Sequence, residues 1–196
     1  MPNFTGKWIN ATPEAALKAA GGGAPPLNAE GKKAYAANKA DKAAGKDPIS
    51  NCFMQGRAAA AVHQVPVPDH AVRQARGLPA PGQPHLPHHL LRREDRHGSR
   101  SDLAGHTSAK WDGKALVITG ADYNAQTWLD YSGLPHGEKL ATEERYALSA
   151  DGQTINGTVK ITDPEFYAKP WTAAFSLKKQ PGVSLEQYSC MADHKM

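Results

Sequence analysis

The stretch "SAKWDGKALVITG" (residues 108–120) decides the fold class. It reads as a β-hairpin, with Asp112-Gly113 in the two-residue turn that suits right-twisted strands. Working outward, "KLATEERYALSADGQTINGTVKIT" (139–162) is a second strand–turn–strand, with Asp151-Gly152 turning. "PWTAAFSLKK" (170–179) and "VSLEQYSC" (183–190) supply two more strands, and "ADYNAQTWLDYSGLPHGE" (121–138) is a long polar-aromatic loop. Consecutive strands joined by short turns specify an antiparallel meander, not alternating β-α units.

The N-terminal third reads differently. "NFTGKWIN" (3–10) is a short first strand. "TPEAALKAA" (12–20) has Thr12 as N-cap and Pro13 at the first helical position, and "GGGAPP" ends it. "LNAEGKKAYAANKADKAAGK" (27–46) is rich in Ala and Lys, with Asn28 as cap, and predicts a surface helix with a thin apolar face. The expectation is one domain over residues 1–196: a strand and Ala/Lys-rich helical part (1–51), an anomalous part (52–104) and an antiparallel β part (105–196).

Residues 55–104 contain no Lys, Phe, Tyr, Trp, Ile, Asn or Thr, yet hold seven of the eight Arg and six of the nine His. The net charge of +4 is concentrated there, since the remaining residues carry 16 basic against 15 acidic side chains. A natural basic, proline-rich linker is one reading. The other is translation out of frame, because a shifted GC-rich gene yields Arg, Pro, Ala, Gly and His. Reading back-translated Val65–Ala104 from the second base of each codon, with synonymous codons chosen freely, permits the runs "HVVFLHQ" and "SHIYRTIYF", which have the composition of two antiparallel strands. With those strands the total reaches eight or nine, enough to close a small barrel. As written, Pro84 and Pro87 break any helix that would align His85, His88 and His89 on a metal. The tract has no aromatic side chains on which bases could stack, so no nucleic-acid partner is expected. No run of about 18 apolar residues exists, so no membrane-spanning helix is expected.

Cys52 and Cys190 are the only cysteines. They are either two reduced structural thiols or a disulfide, and the disulfide requires an oxidising compartment. Closing a loop of that length is worth on the order of 4–5 kcal/mol in the chain-entropy model. The N-terminus has no basic-then-apolar signal pattern, so a periplasmic or secreted location requires a signal outside this chain, and a cytoplasmic one is the alternative.

The densest polar group lies between His106 and Arg145. His106, Asp130, His136 and Glu144 are the candidates for acid–base chemistry, since imidazole titrates near neutrality and a carboxylate can fix its tautomer. Glu144 shares a strand face with Leu140, Tyr146 and Leu148, so it is either buried with a partner or lines a cavity. Asn124, Trp128, Arg145, Tyr167 and Trp171 are the candidate ligand contacts, against a packing role for the aromatic ones. No Ser-His-Asp spacing and no phosphate-binding glycine loop is present, and no cofactor or metal is expected.

Gly6-x-Trp8 resembles the first-strand signature of lipocalins and other calycins. Together with "NCFMQG", "GHTSAKWDG", "TWLD", "PHGE", "TEERY", "DPEFYAKPWT" and "QYSC", the chain resembles a family of uncharacterised exported bacterial proteins of lipocalin-like type. The similarity covers both flanks and departs over 55–104, where the alternative frame closes the gap. The resemblance implies export and a mainly β fold, a meander or lipocalin-like barrel with one or two N-terminal helices. It implies no activity. Two functions follow as expectations: a cell-envelope binder of a small apolar or aromatic molecule in a barrel mouth, or a lyase, hydratase or isomerase using the His and carboxylate groups.

Overall fold

The computed structural model describes residues 2–4, 6–10, 16–48 and 105–181. The tract at 55–104 with its alternative frame, Cys52 and Cys190, the start of the first expected helix at Thr12-Pro13 and the strand expected at 183–190 lie outside the described residues.

The described chain is mainly β. Its elements are β1 (Trp8–Asn10), α1 (Ala29–Ala43), β2 (His106–Asp112), β3 (Ala115–Ala121), β4 (Ala141–Leu148), β5 (Thr154–Thr162) and β6 (Trp171–Lys179). They form one six-stranded sheet in the order β1-β6-β5-β4-β3-β2, with each neighbouring pair antiparallel. The meander from β2 to β6 is therefore as the turns specified. The closed barrel is not formed: among the described residues β1 and β2 stand at opposite edges, and β1 has only three residues. Six strands fall short of the about eight that close a small barrel.

Period-2 alternation sends one stripe of each strand inward. Leu116 and Ile118 on β3, Tyr146 on β4, Ile155, Val159 and Ile161 on β5 and Trp171, Ala173, Phe175 and Leu177 on β6 are buried on that face. Phe4, Trp8, Leu17, Tyr123, Leu129, Leu134 and Tyr167 join them in one cluster, so the N-terminal segment and the 122–140 loop cover the sheet. Each fully buried large apolar side chain contributes roughly 1.5–3 kcal/mol. Gly157 faces Phe175 in the register, and a Cβ there would collide with the Phe175 ring. The space lets that ring pack edge-on against Tyr146, centroids 5.5 Å apart.

Two expectations shift in detail. The β2–β3 turn is formed by Gly113 and Lys114, one residue later than Asp112-Gly113, because Asp112 pairs with Ala115. Only Gly113 has a left-handed φ (58°), the pattern of a turn with glycine first. The segment 16–20 is not helical. Its amides bond elsewhere: Leu17 N–H donates to Asp130 Oδ2 at 2.7 Å and Ala20 N–H to Thr172 O at 2.6 Å.

Helix α1 forms where expected, and Asn28 Oδ1 accepts from Gly31 N–H at 2.8 Å as its cap. Its docking stripe is more polar than the thin apolar face expected. Asn28, Gly31, Tyr35, Asn38 and Lys42 recur at helical spacing. Asn28 Nδ2 donates to Glu165 O at 3.0 Å, Tyr35 OH to Ser132 Oγ at 3.0 Å and Asn38 Nδ2 to Gly133 O at 2.9 Å. Lys42 Nζ donates to Tyr131 O, and Gly31 lies so close to Phe166 that a Cβ would strike its carbonyl oxygen. The helix thereby fixes the 131–133 and 165–166 backbone.

Candidate functional site

The outer face of the sheet carries a groove at the end where β2 begins and β3 ends. Its cavity of about 560 Å³ is lined by residues of β2, β3, β4 and β5. The register explains the lining. Ser108, Thr119, Glu143 and Lys160 are successive cross-strand partners and form one row, while His106, Ala121, Ala141 and Thr162 border it. In the first row Ser108 Oγ and Thr119 Oγ1 share a hydrogen bond at 2.8 Å. His106 Nδ1 stands 3.5 Å from Asp122 Oδ2, with both side chains exposed. Asp122 is the one described non-glycine residue with a left-handed φ (59°), a conformation that Asp tolerates better than most residues.

A second polar group lies in the 122–140 loop, and here burial is nearly complete. His136 is 3% exposed, with Nε2 2.8 Å from Thr127 Oγ1 and Nδ1 3.3 Å from Gly137 O. A backbone carbonyl only accepts, so Nδ1 carries the proton and Thr127 donates to Nε2. Burial holds the imidazole pKa below its ordinary value; the Gly137 carbonyl and Asp163 oppose that shift. Asp163 Oδ2 accepts Gly137 N–H at 2.8 Å and Oδ1 accepts Glu165 N–H at 3.0 Å. Asp130 Oδ1 accepts from Ser132 N, Ser132 Oγ and Leu134 N, while Oδ2 accepts from Leu17 N. Asp130 and Asp163 thus organise backbone, and His136 fastens the loop upon itself.

The acid–base candidates occupy separate surroundings. His106 lines the outer groove; Asp130 and His136 are inside the loop; Glu144 is buried on the inward sheet face, where Oε2 accepts from Tyr146 OH at 2.5 Å. Among the ligand candidates, Tyr167 and Trp171 pack together with centroids 5.6 Å apart, and Tyr167 OH donates to Pro135 O at 2.9 Å. Burial, then the nearby Asp130 and Asp163, raises the Tyr167 pKa. Asn124 Oδ1 accepts Gln126 N–H at 3.1 Å, Trp128 is half-buried, and Arg145 Nη1 donates to Asp112 Oδ2 at 2.7 Å. Sequence reading passed over Ser108, Thr119 and Lys160 as site residues. Strand alternation separates Glu143 from Glu144, but the row that Glu143 joins depends on three strand registers. Asp163, which precedes Pro164, was likewise not among the expected site residues.

Among the described residues, no group of three His, Cys, Asp or Glu side chains could hold a metal ion, and no helix is long and apolar enough to cross a membrane. Compared with known protein families, curated proteins and solved structures, the chain has no match.

Proposed function

We propose that this chain is a small-molecule-binding protein of the cell envelope, with its ligand in the groove on the outer face of β2–β5. The observation that carries this reading is the cavity of about 560 Å³, within the roughly 300–1,000 Å³ of small-molecule sites. The inward face offers a poorer site, since its central side chains, such as Leu116, Ile155 and Ile161, are 0% exposed. The ligand therefore meets a polar row beside small side chains, in place of the apolar barrel mouth that the sequence suggested. The envelope location rests on the family resemblance and on the disulfide alternative for Cys52 and Cys190, which lie outside the described residues.

Binding is favoured over acid–base catalysis because Asp130 and His136 are engaged in holding backbone and loop. The enzyme alternative narrows to His106 with Asp122, the one candidate imidazole in the groove and 3.5 Å from a carboxylate. A fragment screen by amide-resolved NMR tests the binding reading. Shifts should gather at Thr107, Gly120 and Thr142, whose strands line the groove. Hits confined to other regions, or no hits, would refute it.

A further inference from the structure

We infer that the groove takes a small zwitterion, an ammonium and a carboxylate in one molecule with a short apolar part. This rests on the small-molecule reading of the same groove. Glu143 on β4 and Lys160 on β5 are direct cross-strand partners. Such partners have Cβ atoms about 4.5–5.5 Å apart, close enough for their charges to meet. Yet among the described residues neither takes part in an ion pair. The neighbouring cation on the same face, Arg145, is committed to Asp112 at 2.7 Å. One anion and one cation are thus presented side by side on the outer sheet face, and both line the groove.

A ligand ammonium beside Glu143 and a ligand carboxylate beside Lys160 would form two charge-assisted hydrogen bonds in one molecule. The Ser108–Thr119 hydroxyl pair continues the row on the Glu143 side and offers further polar contacts. Ala121 and Ala141, which also line the groove, leave a small apolar shelf between His106 and Thr162. A ligand with only one charge leaves the other protein charge facing it without a partner. Mixed sign in the row therefore selects against simple anions and simple cations.

The test uses the full chain and three probes of similar shape: leucine, 4-methylpentanoate and 3-methylbutylamine, each titrated by amide-resolved NMR. Leucine is expected to shift Thr142, Glu143 and Lys160 amides and to bind about tenfold more tightly than either single-charge probe. Glu143→Gln should weaken leucine about tenfold without weakening 4-methylpentanoate, and Lys160→Met should weaken leucine without weakening 3-methylbutylamine. Exchanging the two charges, Glu143→Lys with Lys160→Glu, should restore leucine binding and separates charge recognition from damage to the sheet. Equal affinity for all three probes, or leucine binding unaffected by Glu143→Gln, overturns the inference. If uncharged fragments shift the groove amides and leucine does not, the zwitterion fails and the small-molecule reading stands. If nothing shifts them, both fail.

Discussion

Replacing Asp130 by Asn changes one atom in the most heavily used carboxylate of the loop. Oδ1 accepts three donors and Oδ2 accepts the amide of Leu17, 113 residues away in sequence. Asparagine has one acceptor oxygen, and its best orientation keeps that oxygen toward Ser132 and Leu134. The amide group then points two N–H donors at Leu17 N–H. A charge-assisted hydrogen bond of about 1.5–3 kcal/mol is lost, and a buried donor is left unsatisfied at about 1–3 kcal/mol. The expected cost is about 3–5 kcal/mol, a large part of the roughly 5–15 kcal/mol that holds a domain folded. In urea unfolding with an m value near ~2 kcal/mol/M, the midpoint should fall by about 2 M with m unchanged. Hydrogen exchange at the Leu17 amide should accelerate, because its acceptor is gone. Asp122→Asn is the control: its side chain is 72% exposed, and its effect should stay within about 0.5 kcal/mol. A fall of less than about 1 kcal/mol in Asp130→Asn would refute the anchoring role assigned to this carboxylate.

Three further outcomes are expected. Gly31→Ala should cost about 1–3 kcal/mol despite the better helix propensity of alanine, because its Cβ meets the Phe166 carbonyl; a gain in urea midpoint would contradict the docking of α1. The folded state holds His136 below its ordinary pKa, so below about pH 6.5 the unfolded chain binds more protons than the folded one. This contribution to stability is complete above that pH and is lost as pH falls toward the folded pKa, with a slope of at most about 1.4 kcal/mol per pH unit. Urea midpoints from pH 8 to 5 should show a weaker decline in His136→Gln than in the parent chain, and equal declines would count against it. For the anomalous tract, the encoding DNA across codons 52–106 should show an insertion or deletion near one end of 55–104 and a compensating one near the other, and a frame-restored chain should gain β circular dichroism and a sharper thermal transition. In-frame relatives that carry the same Arg/His-rich residues would instead favour the linker reading.

The strands were legible because their signals are local. "ATEERYAL" alternates residue by residue, and that alternation alone puts Glu144 with Tyr146 on one face and Glu143 with Arg145 on the other. The cap at Asn28 was legible for the same reason, since its partner Gly31 is three residues on. Over 16–20 the expected helix does not form, because the start signals at Thr12-Pro13 say nothing of distant acceptors. Asp130 and Thr172 take the amides of Leu17 and Ala20 that a helix would otherwise have used.

By itself, the sequence determined the mainly β class, the antiparallel meander, the place of α1 and the foreign composition of 55–104. Only the tertiary structure decided that β1 pairs with β6 and that the sheet stays open among the described residues. It likewise decided that His136 and Asp130 are buried within the 122–140 loop and Glu144 on the inward sheet face, while Glu143 and Lys160 face each other. The physical reason is range. Alternation and capping are set within a few residues, whereas burial and charge pairing depend on strand registers and on contacts more than a hundred residues apart.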